Sequence, residues 1–456
     1  MKGWSTVGAT TAWKALAANV KETEVPAGSS YIEAHEIGIT EAEVELETTP
    51  LAGTHVLNST VWLYTPTNSS PLNVYVQTYP FSSSAPFLLA ATPITSAGWH
   101  AIPITLYNSQ AYLDNLRIKF QAFGGQVPPV RVYAAFLRLE MEPAKPTVYW
   151  GAWIDGDTYE RPGDAPWDSG TWNLFESHVS KPVSIDHFGQ PAPWSQAFSS
   201  EPLELTRNRG AIPLMDMSSS GATLKEISNG SRDASLTAWA KAAKSYARPF
   251  FLRWDWEMNG TWFKWGQEAA ESPSTFVAAW KRFHNIVDEN GATNVTWVWC
   301  PNTTFTGSTS LTSLYPGSSY VNWTCMDGYN FGTNPLQPAG WKAFYEVFEP
   351  TYSQLISLDP SKPIMIGETA STELGGSKPS WIADGFGKDM SVNFPKIKAV
   401  NWFNWNISEE GQPRWDWPVE SSSASQASFA NAISSPYYAS NTFKELPPLT
   451  PIKPLP

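Results

Sequence analysis

Short apolar runs alternate with longer amphipathic stretches from residue 147 to residue 405 of this 456-residue chain. The runs are candidate strands, and they occupy residues 147–154, 182–188, 211–217, 249–256, 294–300, 325–331, 363–368 and 398–405. Helix candidates between them lie at 235–247, 274–290, 341–356 and 378–390. Strands that are apolar on both faces are typical of parallel sheets covered by helices. Eight such repeats predict an α/β protein built on a closed (β/α)8 TIM barrel.

An open, doubly wound sheet is the alternative for this pattern. Such sheets often bind a dinucleotide through a glycine-rich turn directly after the first strand. No such turn follows TVYWGAWI at 147–154, so the closed barrel is preferred.

The first 145 residues have a different sequence pattern. Runs rich in β-branched and aromatic residues lie at 60–65, 72–79, 100–106, 116–123 and 130–142, separated by Pro, Ser, Asn and Gly clusters. This spacing predicts an all-β sandwich, with one short helix near Thr11–Ala18. We therefore expect an accessory β-domain at 1–145, the barrel at 146–440 and a Pro-rich tail at 441–456 that is a linker or an extended strap. Accessory carbohydrate-binding domains share the sandwich fold by analogy only, and attachment to another protein is an equal alternative.

Charge and composition exclude several classes of partner. The net charge of −12 repels phosphate backbones, so nucleic acid is not an expected partner. No apolar run reaches the length of about 18 residues that a membrane span needs. The six histidines and two cysteines show no zinc-binding spacing, so we expect neither a metal nor a cofactor. A disulfide between Cys300 and Cys325 is compatible with the sequence but not required by it.

Two glutamates directly follow apolar runs at the ends of the fourth and seventh strand candidates. Glu257 lies in RWDWEMNG (253–260), and Glu368 lies in IGET (366–369). The carboxyl ends of barrel strands form the mouth where active sites lie, and strands four and seven lie across it from each other. One such glutamate is as readily a helix cap or an ion-pair partner. Two of them among tryptophans predict a catalytic pair.

A pair of opposed carboxyl groups suits the cleavage of a glycosidic bond. One acid protonates the leaving oxygen, and the other carboxylate attacks the anomeric carbon or activates water. A separation of about 5–5.5 Å leads to retention of configuration. An apolar wall would raise the pKa of the acid, and the tryptophans near Glu257 can supply it. The chain has 24 tryptophans, which leaves ample indole surface for stacking on sugar rings.

The motifs RWDWEMNGTWFKWG (253–266) and MIGETAS (365–371) resemble those of glycoside hydrolase family 26. That family contains β-mannanases, mixed-linkage β-glucanases and β-1,3-xylanases on a (β/α)8 barrel. The resemblance, which extends over residues 147–435, implies that Glu257 is the acid/base and Glu368 the nucleophile. It also implies that Tyr329 of DGYN contacts the nucleophile and that Trp402 of VNWFNWN lies beneath the sugar at the cleavage site.

One residue departs from the family pattern. The mannanases commonly have histidine directly before the acid glutamate, whereas this chain has Trp256. His187, in IDHFGQPAPW, offers an imidazole from another strand end, although a hydrogen-bonded loop histidine is an equal interpretation. The substrate therefore stays open between β-mannan and β-1,3/1,4-glucan. The expected substrate contacts are His187, Trp256, Trp262, Trp265, Tyr329 and Trp402. Weaker candidates at strand ends are Trp150, Trp153, Trp194, Asp155, Asp216 and Asn302.

Taken together, these residues predict a retaining endo-β-glycanase that acts as a monomer on an extracellular polysaccharide. No apolar signal-peptide core is visible in the first residues, MKGWSTVGATTAWKALAANV. A non-catalytic glycan-binding protein is one alternative, but such a protein has no use for two opposed carboxylates. A depolymerase component of a surface or virion assembly is the other.

Overall fold

A computed structural model describes most of the chain. The described residues are 13–17, 30–34, 38–45, 56–67, 69–78, 86–104, 116–124, 128, 130–132, 134–141, 147–266, 272–335, 337, 339–406 and 415–456. The chain divides into two compact units, Met1–Ala144 and Lys145–Pro456.

The first unit is all-β, as the sequence predicts. Its strands are β1 (Trp13–Ala17), β2 (Ser30–Ala34), β3 (Gly38–Glu45), β4 (Val56–Thr65), β5 (Leu72–Thr78), β6 (Phe87–Ile94), β7 (Gly98–Ile104), β8 (Leu116–Gly124), β9 (Arg131–Val132) and β10 (Ala134–Met141). They form sheets in the orders β1-β2-β9, β10-β4-β7 and β3-β8-β5-β6. Alternate residues of β5 and β8 are buried and share one core with β4 and β7, so two sheets face each other.

The helix predicted near Thr11–Ala18 is wrong. Residues Trp13–Ala17 form β1 and pair antiparallel with β2 along the whole strand. Five residues are too few for a stable helix without tertiary support, and the backbone hydrogen bonds of β2 satisfy the segment instead.

The second unit contains a closed barrel in which every neighbouring pair of strands is parallel. Its strands are β11 (Tyr149–Ile154), β12 (Ile185–Gln190), β13 (Ile212–Met217), β14 (Phe250–Trp254), β15 (Val295–Trp299), β16 (Trp323–Asn330), β17 (Ile364–Ser371) and β18 (Ile397–Asn404). The predicted (β/α)8 barrel is therefore confirmed, with each strand within a few residues of its expected position.

Helices surround this barrel. They are α1 (Ser169–Val179), α2 (Glu201–Asn208), α3 (Leu224–Ser228), α4 (Asp233–Tyr246), α5 (Pro273–Glu289), α6 (Leu311–Leu314), α7 (Phe344–Leu358), α8 (Lys378–Asp384), α9 (Met390–Val392) and α10 (Ser423–Ile433). Within the described ranges, none of them combines the length and apolar character needed to cross a membrane.

Successive side chains of the barrel strands point alternately inward and outward, so they belong to two separate hydrophobic cores. Inward residues such as Phe251, Met365 and Ala399 fill the barrel interior. Their outward neighbours pack against the helices in a larger core. Whether a residue points inward or outward depends on its odd or even position along the strand. The same alternation therefore decides which residues reach the mouth of the barrel.

Residues 441–456 belong to the barrel unit and form an extended strap across its base. The backbone N–H of Ile452 donates to Thr296 Oγ1 at 2.8 Å, and Trp323 Nε1 donates to the Ile452 carbonyl at 2.9 Å. Phe443 packs edge-on against Tyr149, with ring centroids 5.1 Å apart. Ile452 itself is buried among the inward residues of the barrel. The tail is therefore an extended strap and not a linker.

Candidate active site

Glu257 lies on a tight turn directly after β14. Asp255 and Glu257 have φ angles of 45° and 53°, in the left-handed region that ordinary side chains disfavour. Hydrogen bonds hold the turn, since Asp255 Oδ1 accepts from the Ser219 N–H at 2.5 Å and the Glu257 N–H donates to the Cys300 carbonyl at 2.7 Å. Backbone strain of this kind persists only where the surroundings over-determine it, and it concentrates at functional sites.

The carboxyl group of Glu257 accepts two hydrogen bonds. Asn302 Nδ2 donates to Oε1 at 2.5 Å, and Trp262 Nε1 donates to Oε2 at 2.6 Å. Asn259, of the same Glu-Met-Asn-Gly motif, accepts from the Asn302 backbone N–H at 2.8 Å and donates to its carbonyl at 2.9 Å. The asparagine of the motif thus positions Asn302, which in turn orients the glutamate.

Burial is the main influence on the acidity of Glu257. Desolvation, followed by the nearby charge of Glu368, raises the pKa of Glu257 to about 7, against the lowering effect of Asn302 and Trp262. A carboxyl group in this state can hold a proton near neutral pH and release it to a substrate.

Glu368 lies on β17, after a break in the strand register. At the preceding Gly367, a Cβ atom would lie 2.5 Å from Asp327 Oδ1 and 2.8 Å from Cys325 Sγ, so no side chain fits. The Glu368 carboxylate accepts hydrogen bonds from the Arg253 guanidinium on Oε1 and from the Tyr329 hydroxyl on Oε2. These two donors orient both oxygens at the barrel mouth.

Arg253 is fully buried inside the barrel and contacts three carboxylates. Besides Glu368, it donates to Asp216 through Nε at 2.7 Å and to Asp327 through a terminal nitrogen at 2.7 Å. Burial opposes its charge, yet the three carboxylates raise the pKa of Arg253 well above its ordinary value. Burial likewise raises the pKa of Asp327 well above its usual range, against the lowering influence of Arg253. Asp216 is also buried, but Arg253 and His187 keep its pKa below its usual value.

The two glutamates face each other at short range. One carboxylate oxygen of Glu257 and one of Glu368 lie within 4.8 Å of each other. They open into a cleft of about 980 Å³. Aromatic residues line much of this cleft, namely Trp153, Trp256, Trp262, Phe263, Phe305, Tyr329, Phe331, Phe403, Trp405, Trp415 and Trp417.

Three of the six predicted substrate contacts line the cleft: Trp256, Trp262 and Tyr329. The structure does not bring the other three there. His187 is buried beneath Trp153, with Nε2 2.9 Å from Asp216 Oδ2, so it supports the charged network instead. Trp265 is buried against Trp256 and Phe263, and it stacks on Phe263 with ring centroids 4.4 Å apart.

Trp402 does not form the floor of the cleft. It is fully buried on the outer side of the barrel, against Trp381, Phe386 and Phe429 of the surrounding helical layer. The alternation of β18 explains this placement, because Asn401 lies against Gly151 of β11 and Phe403 lines the cleft, whereas Trp402 between them points outward to Trp381. Phe403 and Trp417 occupy the cleft on this side.

Sequence reasoning missed Arg253 and the pair Trp415 and Trp417. A signal for Arg253 existed, since an arginine inside an otherwise apolar strand must be paired when buried. The two tryptophans gave no such signal, since they follow β18 on a loop. Of the weaker candidates, Trp153, Asp216 and Asn302 line the cleft.

Cys300 and Cys325 form a disulfide between the end of β15 and β16, with an S–S distance of 2.15 Å. The sequence left this bond open. The sulfur atoms lie directly beneath Gly367, so the bond forms part of the support under Glu368.

A closed parallel barrel with two facing glutamates in an aromatic cleft at its mouth is the arrangement found in barrel-fold glycosidases. Residues 209–408 match the model of glycosyl hydrolase family 26. The match lies within the barrel unit.

Three similar proteins give the extent of the likeness. The chain is 32% identical to Endoglucanase H of Acetivibrio thermocellus over 289 residues, which is 62% of this chain and 30% of that protein. It is 33% identical to a mannan endo-1,4-beta-mannosidase of Bacillus subtilis over 119 residues, or 25% of this chain and 28% of that protein. The chain thus spans less than a third of either relative. The solved catalytic domain of an endo-beta-1,4-mannanase from Bacillus sp. JAMB-750 is 17% identical, with a TM-score of 0.48 over 65% of this chain and 88% of that domain.

Proposed function

We propose that this protein is a retaining endo-β-glycanase that hydrolyses a β-linked polysaccharide. The observation that supports this proposal is the short separation of the Glu257 and Glu368 carboxylate oxygens, within 4.8 Å. Retaining enzymes hold the two carboxyl groups about 5–5.5 Å apart, whereas inverting enzymes leave about 6.5–9.5 Å for a water molecule.

The two environments support different roles. In the first step, protonated Glu257 gives its proton to the glycosidic oxygen while Glu368 attacks the anomeric carbon from the opposite face, forming a glycosyl-enzyme ester. In the second step, ionised Glu257 takes a proton from water, and the water oxygen displaces Glu368 with return of the original configuration. The raised pKa of Glu257, due to its burial, suits the first role, and the cation of Arg253 beside Glu368 suits an anionic nucleophile.

The arrangement of aromatic residues supports endo action. Trp262 donates to Glu257 and lies against Phe305, with the two ring centroids 5.7 Å apart and both side chains about two-fifths exposed. Trp153 and Trp405 form a separate stack at 5.7 Å. Both groups line the cleft, so more than one sugar ring of a polymer can stack there.

Two substrates have specific support. Trp256 presents an aromatic face to the cleft where mannanases of the family commonly have histidine, and the alignment to Endoglucanase H extends over 289 residues. Both favour a β-glucan such as β-1,3/1,4-glucan. The mannosidase relative supports β-mannan as the second candidate. Because such polymers are too large to enter cells, we expect the enzyme to act extracellularly, and we expect it to act as a monomer.

A panel of soluble polysaccharides tests the proposal. We expect release of reducing ends and of mixed oligosaccharides from β-glucan or β-mannan, with none from the Glu368→Gln variant. Binding of a glycan without any release of reducing ends would instead indicate the non-catalytic alternative. Inverted configuration in the first product, read by NMR, would contradict the retaining mechanism.

A further inference from the structure

Lys378 is a fully buried lysine at the first position of α8. Its ammonium group donates to the carbonyls of Asp416 at 2.6 Å, Trp417 at 3.2 Å and Pro418 at 2.9 Å. It also donates to Ser421 Oγ at 2.8 Å. All four acceptors belong to one loop, residues 416–421. A buried charge is tolerated only where such bonds replace those to water. The polar groups of this loop take the place of water around the ammonium group.

The loop carries Trp417, and Trp415 lies directly before it; these two residues are called here the aromatic wall of the cleft. The two indoles stack on each other with centroids 4.9 Å apart. Trp417 stacks in turn on the ring of Tyr329, at 4.5 Å and an interplanar angle of 17°. The hydroxyl of Tyr329 donates to Glu368. A continuous set of contacts therefore connects Lys378 to the nucleophile.

Neighbouring groups tie the same loop to the barrel. Trp402 Nε1 donates to the Trp417 carbonyl at 3.0 Å, which gives the outward-facing Trp402 a structural role. The Glu373 N–H, just after β17, donates to Asp416 Oδ2 at 2.7 Å. Lys378 supplies more of these bonds than any one of the other groups named here.

We propose that Lys378 is a positioning residue that fixes the aromatic wall and, through the stack on Tyr329, the orientation of Glu368. The catalytic part of this inference rests on the proposed function. Lys378 does not line the cleft, so it acts through Trp417 and not on the substrate.

Replacement by methionine is the sharpest test, because the side chain keeps a similar length and loses every N–H donor. The loop carbonyls then lose their partners and the wall is free to shift. Lys378→Gln, which keeps two donors, serves as a milder second variant if the methionine variant does not fold.

The chain offers a matched control. Lys181 donates in the same manner to three carbonyls, those of Ile433 at 2.8 Å, Ser435 at 2.9 Å and Tyr438 at 2.7 Å. None of these residues lines the cleft. Lys181→Met therefore removes three such bonds, against four in Lys378→Met, without touching the aromatic wall.

Two readouts decide the question. Near-ultraviolet circular dichroism reports coupling among the stacked Trp415, Trp417 and Tyr329 rings, and we expect this signal to fall in Lys378→Met but not in Lys181→Met. The concentration of active sites is titrated with a covalent glycosyl inactivator, so that kcat refers to folded enzyme only. We expect kcat for Lys378→Met to fall by about 10²-fold, because a displacement of the reacting groups near 1 Å has a cost of this size. The change in KM should be smaller. We expect both constants to be unchanged in Lys181→Met, although both variants lose thermal stability.

Equal kcat values for Lys378→Met and the parent protein, or equal losses in the two variants, would overturn the inference. If the parent protein hydrolyses no polysaccharide, the proposed function fails. The dichroism signal then still decides whether Lys378 holds the wall, since it needs no substrate.

Discussion

Arg253 donates a hydrogen bond to Glu368 across the barrel interior, although 115 positions separate the two residues in the sequence. The same guanidinium pairs with Asp216 and Asp327, and all four side chains are almost entirely buried. One cation thus contacts three carboxyl groups and sets the direction in which one of them faces the cleft.

The Arg253→Met variant should therefore lose both stability and activity. Removing one partner of a buried charge network costs about 3–5 kcal/mol, because the remaining charges stay uncompensated. The free energy of unfolding in urea at pH 7 measures the effect. As a control, Arg282→Met breaks a half-exposed pair with Asp233 and should cost less than about 1 kcal/mol. Similar losses in the two variants would show that the network is not strongly coupled.

The stereochemistry of azide products should assign the two glutamates. In Glu368→Ala, azide can occupy the vacated space and attack an activated β-glycoside from the opposite face, giving an α-azide. In Glu257→Ala, the glycosyl-enzyme still forms and azide attacks in place of water, giving a β-azide. NMR of the products distinguishes them, and the reverse pairing of variant and product would mean that the roles are exchanged.

The pH dependence of kcat/KM should have an alkaline limb near the raised pKa of Glu257, about 7. The protonated form is the active acid, so the rate falls as pH rises through this value. Asn302 lowers the pKa of Glu257 by donating to it, so Asn302→Ala should move the limb to higher pH. A limb that moves to lower pH in this variant would contradict the assignment.

Substrate choice should depend on Trp256. We expect kcat/KM on mixed-linkage β-glucan to exceed that on pure mannan, with glucomannan intermediate. Trp256→His should shift the ratio towards mannan by about tenfold, or about 1.4 kcal/mol, because a directional hydrogen bond discriminates hydroxyl groups better than a stacking face. Equal rates on mannan and glucomannan, with none on β-glucan, would refute this view of Trp256.

The strap at the base of the barrel should contribute to stability. Ile452→Ala removes a side chain that is 5% exposed, and such truncations cost about 2–5 kcal/mol. Lys453→Ala changes an exposed neighbour whose carbonyl, the acceptor for Tyr149, is retained, so it should have little effect. Thermal unfolding of both variants at neutral pH provides the comparison, and equal melting temperatures would mean that the strap is not a structural element.

The order of elements in the barrel could be predicted from the sequence because its determinants are local. Each strand is a short apolar run, each helix has its own period, and eight such repeats favour a closed barrel. The positions of Glu257 and Glu368 at the mouth could be predicted for the same reason, since both directly follow such runs and strand ends meet at the mouth. The structure of the β1 segment could not be predicted in this way, because a run of five residues is too short for its periodicity to distinguish a helix from a strand.

The tertiary structure decided which aromatic side chains reach the cleft. Trp402 was predicted there and points outward, whereas Trp417 arrives on a loop that returns over the mouth and is held by Lys378. A shift of one residue along a strand reverses the direction in which each side chain points. A register break such as the one before Glu368 introduces such a shift, and the composition of the strand gives no sign of it. The sequence thus determined the barrel and its two glutamates through local patterns. The cleft wall and the charge network around Arg253 depend on contacts between residues far apart in the chain, which only the folded structure brings together.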